Sequence, residues 1–227
     1  MSNLADSVMF VCTANICRSP VADEIFSREV GPWLASTDFS LAVTSRGTHA
    51  VAGDQRCKVA SERFEITQPG VSSLFQGGEP EAQGLILTME QQQMSFLAQS
   101  FPKFRSRIFT LPQAVEIAEK IYDGMLDGSL FTSPDPQMGI GFVAPPLPED
   151  MSQRWSWLVS ELDANRGLIT KTNSILTSGD FDIADAHQPD GPTHELALDL
   201  IDENAKALAT LIQSILGANE FSKVPST

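Results

Sequence analysis

An apolar run, Val8-Met9-Phe10-Val11, ends in Cys12, and after five intervening residues Arg18 is followed at once by Ser19-Pro20. A short apolar run that breaks into a loop and restarts as a helix is the strand-to-helix corner of a parallel α/β sheet, buried on both faces. Ser19 suits an N-cap and Pro20 the first helical position. This corner constrains the rest of the chain, because a sheet of parallel strands needs a covering helix at every crossover. The sequence supplies that alternation, with strands predicted near 6–11, 39–45, 84–89 and 106–110. Helices are predicted near 19–30, 54–64, 90–100, 111–122 and 193–216.

The loop from Cys12 to Arg18 has the composition of an anion cradle with its own nucleophile. Thr13, Ala14, Asn15, Ile16 and Cys17 can curl so that their backbone N–H groups, with that of Arg18, point inward as a nest at the positive end of the following helix. Attack by sulfur on phosphorus requires the thiolate, which such dipoles and a neighbouring guanidinium favour. Arg18 adds a planar fork that can hold two phosphoryl oxygens, a geometry no lysine reproduces. Ser19 has a second possible use, donating its hydroxyl to the Cys12 sulfur when that sulfur must leave phosphorus.

The stretch Cys12-Thr13-Ala14-Asn15-Ile16-Cys17-Arg18-Ser19-Pro20 resembles the active-site loop of the low-molecular-weight protein tyrosine phosphatases, Cys-x-Gly-Asn-x-Cys-Arg-Ser-Pro, with alanine in place of the glycine. Val43 to Ala50 is similar to that family's second strand and its exit, and Gly84 to Glu90 to its third strand, which reads as core throughout. The resemblance implies a flavodoxin-like three-layer sandwich with a four-stranded parallel sheet in the order 2-1-3-4. That order puts the loop after the first strand at the topological switch point, where ligands gather. It also implies that Asn15 shapes the loop from a strained backbone conformation, with Ser45 as a partner of its side chain. Read alone, Asn15 and Ser45 are equally turn residues.

Expelling an alkoxide from phosphorus needs a proton. The family keeps its acid in a late Asp-Pro-Tyr loop, and Asp182-Ile183-Ala184-Asp185-Ala186-His187 stands at the corresponding place, which selects Asp185. Asp180, Asp182 and Asp190 are rival assignments. Ala186-His187 replaces the proline and aromatic residue of the family, and Thr13 and Val51 bring no aromatic ring to the mouth, so a smaller or more polar phosphoester is an alternative to phosphotyrosine. The family's loop-supporting histidine has no counterpart between Ala60 and Gly84. Cys17 is expected either to trap oxidised Cys12 as a disulfide, the protection the family is known for, or to pack as a small apolar residue.

The segment from about 122 to 177 is longer than the family carries and reads as an insertion in a single domain spanning 1–227. Its first part, with Gly124, Gly128, Pro134, Pro136, Gly139, Gly141, Pro145, Pro146 and Pro148, reads as a loop or lid. Its second part reads as a helix that starts at Glu149-Asp150, places Trp155, Leu158 and Leu162 on one face, and ends at Gly167. Trp155 and Trp157 belong either to the body or to a dimer or substrate surface.

A net charge of −14 argues against nucleic-acid partners, and three cysteines give no disulfide framework. The short N-terminal apolar run is no signal peptide or membrane span, so a cytoplasmic enzyme acting on phosphoproteins or small phosphomonoesters is expected. No cofactor is required. His187 with Asp185 and Asp190 forms only a weak metal set, whereas hydrolysis through cysteine needs no metal, and activity in chelator is expected. Two other readings use the same loop: a catalytically weak phosphate-binding module that captures phosphoproteins, and an arsenate reductase, which needs more thiols than Cys57 provides.

Overall fold

The computed structural model describes residues 4–66, 70–78, 84–127, 147–168 and 181–218. The Gly128-to-Pro146 part of the expected loop or lid, and Asp180, lie outside these residues.

β1 (Ser7–Cys12) is buried along its whole length and sits between two parallel neighbours, β2 (Ala42–Gly47) and β3 (Leu85–Thr88), with β4 (Ile108–Thr110) beyond β3. The order is 2-1-3-4, as expected. Side chains of β1 alternate between two cores, as the two-residue period of a strand requires. Val8, Phe10 and Cys12 join the larger core, while Met9 and Val11 pack with Ile86, Phe104 and Leu97 in the smaller one. An apolar residue at every position from Val8 to Cys12 is therefore the signature of a strand covered twice.

The larger core is closed by α1 (Arg18–Leu34), α4 (Leu111–Asp127), α5 (Met151–Ala164) and α6 (His194–Leu216). The smaller is closed by α3 (Gln91–Ser100) and a 3-10 turn over Pro102–Arg107. A short α2 (Lys58–Arg63) lies beside the phosphate-loop side of the sheet. Helix α6 buries Leu198, Ile201, Ala205, Leu208, Ile212 and Ile215, an i, i+3, i+4 stripe that holds it on the body. Thr193 caps it by accepting the Leu196 N–H at 3.2 Å.

Several boundaries differ from the sequence reading: α2 begins at Lys58 and not near 54, α1 runs on to Leu34, and β4 begins at Ile108. β2 starts at Ala42, because Phe39 and Leu41 are buried as loop residues before the ladder begins. α1 starts at Arg18, so Ser19 lies inside the first turn and its hydroxyl is not a cap. α4 continues to Asp127, five residues past the expected end, because Gly124 and Met125 extend its buried face. α5 starts after Asp150, whose carboxylate accepts the Gln153 N–H at 2.9 Å, and ends at Ala164, before Gly167.

The tryptophan question is settled in favour of the body. Trp155 is fully buried with its indole N–H donating to the Ala5 carbonyl at 3.0 Å, and Trp157 packs against the larger core. Arg154 fastens the same helix to the end of α6, donating to the Leu216 and Ala218 carbonyls at 2.7 and 2.8 Å.

Candidate active site

The loop between β1 and α1 is held by its carbonyls. Cys12 O accepts from Thr48 N, Thr13 O from His49 N, Ile16 O from Cys57 N and Cys17 O from Val21 N, at 2.7 to 3.2 Å. The Ala14 carbonyl accepts from the Ser72 hydroxyl at 2.5 Å. In a planar trans peptide the N–H points opposite to the preceding carbonyl. Five carbonyls turned outward therefore turn the N–H groups of Thr13, Ala14, Asn15, Cys17 and Arg18 inward, forming the anion nest. Gly47 at the end of β2 makes room for this, since a Cβ there would stand 2.6 Å from the Thr13 carbonyl oxygen.

At the floor of the nest is the Cys12 sulfur. It accepts the Asn15 N–H at 3.2 Å and the Ser19 hydroxyl at 3.0 Å, and the side chain is 3% exposed. Ser19 thus takes the second of its two expected roles. Asn15 has a φ of 55° and is buried. Its side-chain N–H donates to Ser19 Oγ at 3.0 Å and its Oδ1 accepts the Ser73 N–H at 2.9 Å. Ser45 is not its partner: pairing with Phe10 in the sheet register, it bonds the Asp23 carboxylate instead. The support expected from a histidine comes from Ser72 and Ser73, two residues the sequence reading missed, because a serine pair in a loop carries no periodicity that distinguishes it from ordinary turn chemistry.

Arg18 is 3% exposed and held through both terminal nitrogens of its guanidinium. Its guanidinium meets Glu90 Oε2 at 2.8 Å and Asp185 Oδ2 at 2.7 Å, and donates to the Ile183 carbonyl at 2.9 Å. Burial works against its charge, but Cys12, Glu90 and Asp185 outweigh that and raise its pKa above the ordinary arginine value. Glu90, read from sequence as the end of a core strand, is half-buried at the cleft. A carboxylate at the carboxyl end of a parallel strand was the available signal, since sites in such sheets collect at that edge.

The segment around Asp185 lies against the end of β3 through Ile183 N to Met89 O at 2.8 Å and Gln91 N to Asp182 Oδ1 at 2.7 Å. Asp182 is thereby committed to the start of α3, and Asp190 is exposed. Asp185 is the aspartate whose carboxylate reaches Arg18. Thr13, Thr48, His49, Glu90, Gln93, Phe96, Asp185 and Gln188 line a cleft of about 390 Å³. His49 and Phe96 stack loosely there, ring centroids 5.2 Å apart, which restores aromatic surface that Thr13 and Val51 do not provide. A larger groove of about 760 Å³ between α3 and Arg166 touches none of the loop residues and plays no part in this chemistry.

Cys17 does not share the setting of Cys12. Burial pushes its thiol pKa up, reinforced by Cys57, to which it is hydrogen-bonded, and by Cys12, while Arg18 pulls the other way. A protonated thiol is a poor attacking group. Of the metal set suggested by the sequence, Asp185 is paired with Arg18 and Asp190 is solvent-exposed; among the described residues the donor groups that converge are Cys17, Cys57, His187 and His194.

Residues 7–127 match the family profile described as "Low molecular weight phosphotyrosine protein phosphatase". The "Protein-arginine-phosphatase" of Bacillus subtilis (strain 168) is 32% identical over 112 residues, 48% of this chain and 71% of that protein. The "Low molecular weight protein-tyrosine-phosphatase PtpB" of Staphylococcus epidermidis is 29% identical over 119 residues, 51% of this chain and 78% of that one. Among solved structures, that of a YwlE mutant from Bacillus subtilis overlays with a TM-score of 0.45 at 19% identity, covering 90% of this chain and 96% of the other. With the sequence match spanning the nucleophile loop, all four strands and the arginine that closes the loop, the chain belongs to the low molecular weight phosphotyrosine protein phosphatase family.

Proposed function

We propose that the whole chain, 1–227 with an insertion at about 122–177, acts as one phosphatase domain on phosphotyrosine in proteins, through a phosphocysteine on Cys12. The observation that carries this is the Cys12 sulfur at the floor of the nest, accepting the Asn15 N–H at 3.2 Å and the Ser19 hydroxyl at 3.0 Å. Donors aimed at sulfur favour the anion and stabilise it again when it departs.

In the first step Cys12 Sγ bonds to phosphorus as the phosphorus–oxygen bond to the leaving group breaks. Asp185 gives that oxygen a proton. Inward N–H groups of Thr13, Ala14, Asn15, Cys17 and Arg18, with the Arg18 fork, hold the non-bridging oxygens, whose charge redistributes during transfer. In the second step Asp185 takes a proton from water, the water oxygen bonds to phosphorus, and the phosphorus–sulfur bond breaks with Ser19 donating to the departing sulfur. Ser45 contributes to the sheet edge and not to this sequence.

The His49 and Phe96 rings at the cleft favour an aryl ester. A second reading, phosphoarginine, is favoured by Glu90, Asp185 and Gln188 at the same mouth, which suit a guanidinium, and by the name of the Bacillus relative. A chain with net charge −14 fits a phosphoprotein substrate better than a nucleic acid. Among the described residues no helix is long and apolar enough to cross a membrane, which accords with a cytoplasmic setting.

The test is kcat/KM on phosphotyrosyl and phosphoarginyl peptides and on para-nitrophenyl phosphate, for the wild type, Cys12→Ser and Asp185→Asn. Cys12→Ser should abolish turnover while phosphate binding persists. Asp185→Asn should lose about 10² to 10⁴ in rate on the peptides, and less on the activated ester. Turnover by Cys12→Ser overturns the mechanism, and phosphate binding by a wild type that hydrolyses none of the three substrates makes the chain a binding module.

A further inference from the structure

Four soft or borderline donors from four separated parts of the chain meet behind the phosphate loop. Cys17 Sγ, Cys57 Sγ and one ring nitrogen each of His187 and His194 all lie within 4.8 Å of one another. The two histidines meet through Nε2, 3.4 Å apart, with their rings perpendicular and centroids 4.6 Å apart. Around a tetrahedral zinc with bonds of about 2.05 Å to nitrogen and 2.3 Å to sulfur, the nitrogen–nitrogen edge is about 3.3 Å and the sulfur–sulfur edge about 3.8 Å. The histidine edge already has the tetrahedral length, and the remaining donors need to close by no more than about an ångström. We propose that Cys17, Cys57, His187 and His194 bind one zinc ion that clamps the Asp185 loop to the back of the phosphate loop.

Each donor is delivered by structure that exists without the ion. Cys17 is the last loop residue before α1, and Cys57 precedes α2 on a segment tied to the loop by its own N–H, which reaches the Ile16 carbonyl at 2.7 Å. His187 is set by a turn in which its N–H donates to Asp185 Oδ1 at 3.0 Å, and His194 is the first residue of α6. Two thiolates with two imidazoles form a donor set that favours zinc over magnesium or calcium, which take oxygen ligands. The ion would join residues 17 and 194, closing a very long chain segment, and would engage the Cys17 sulfur so that it is withheld from a disulfide with Cys12. The site is structural: no step of phosphoryl transfer passes through it, and it stands whichever phosphoester the cleft prefers.

The full-length protein purified without chelator should contain one zinc per chain by elemental mass spectrometry. After removal of zinc, cobalt(II) should titrate to one equivalent with thiolate-to-metal charge transfer and tetrahedral ligand-field bands. Free zinc at about 100 times Kd should raise the unfolding midpoint by roughly 5 to 10 °C for a chain of this size. Cys57→Ser and His194→Ala should each lose the stoichiometric metal under buffered zinc, while Cys12→Ser should keep it, which separates the site from metal caught on the nucleophile. Sub-stoichiometric uptake by the wild type, cobalt spectra without charge transfer, unchanged uptake in the Cys57→Ser/His194→Ala double variant, or a Cys17–Cys57 disulfide in the native protein would each overturn the proposal.

Discussion

Asn15 is the residue on which the shape of the phosphate loop turns, and its contribution can be split by two substitutions. Its backbone is left-handed at φ 55° and its side chain bridges Ser19 to the Ser73 N–H. Replacing it with glycine keeps the conformation accessible but leaves the half-buried Ser73 N–H without that acceptor, a cost of about 1 to 3 kcal/mol. Alanine loses the same bonds and adds roughly 1 kcal/mol for holding a Cβ in the left-handed region. For a chain of this size each kcal/mol moves the midpoint by about 2 to 4 °C, so Asn15→Gly should fall by roughly 2 to 12 °C and Asn15→Ala by a few degrees more. The measurements are thermal unfolding by circular dichroism and kcat/KM on para-nitrophenyl phosphate, both of which should rank wild type above glycine above alanine. If alanine equals or exceeds glycine, backbone strain is not what asparagine relieves; if both match the wild type, Ser73 does not need the side chain at all.

Gly191 and Asp23 give two further tests. A Cβ at Gly191 would lie 2.1 Å from the Asp185 carbonyl oxygen, so Gly191→Ala must open the turn that carries Asp185. Overpacking of this kind costs about 1 to 3 kcal/mol, and if it falls on the acid loop the rate drops roughly 5- to 150-fold, more on phenyl phosphate than on para-nitrophenyl phosphate. Equal losses on both esters would show that the acid is not what moved. Burial raises the Asp23 carboxyl above its ordinary 3.8, against hydrogen bonds from Ser45 and Ser27 and the charge of Arg56. A raised acid adds stability below its unfolded value and loses that stability as pH rises through its folded one. Asp23→Asn should therefore unfold at a higher temperature than wild type at pH 7, with the gap closing below pH 3.8; a gap that widens in acid would contradict the sign.

The nucleophile corner and the alternation of strands and helices were legible because they rest on local patterns, an unbroken apolar run into Cys12, a guanidinium six positions on and helices at each crossover, whereas the order 2-1-3-4 came with the family resemblance. α5 was equally readable, since Asp150 caps it and Trp155, Leu158 and Leu162 repeat on one face. What escaped was support that depends on distant chain segments. Ser72 and Ser73 reach the loop across 58 residues, and nothing in their own neighbourhood marks them for it. Ser45 failed as a partner for the same reason in reverse: the strand position was right, but Asp23 from α1 had the stronger claim on its hydroxyl. The cysteine and histidine cluster has no sequence signature, because its ligands are spread from 17 to 194 instead of falling in short pairs.

Glu90 and Asp185 both hold the guanidinium that an incoming phosphate must share. An enzyme arranged this way judges the company a phosphate keeps. A peptide with lysine or arginine near the modified residue arrives with charge that the rim attracts, whereas one bordered by acidic residues meets repulsion before the sulfur can act. Selectivity among phosphoproteins would then be written in the residues flanking the modified side chain as much as in that side chain itself.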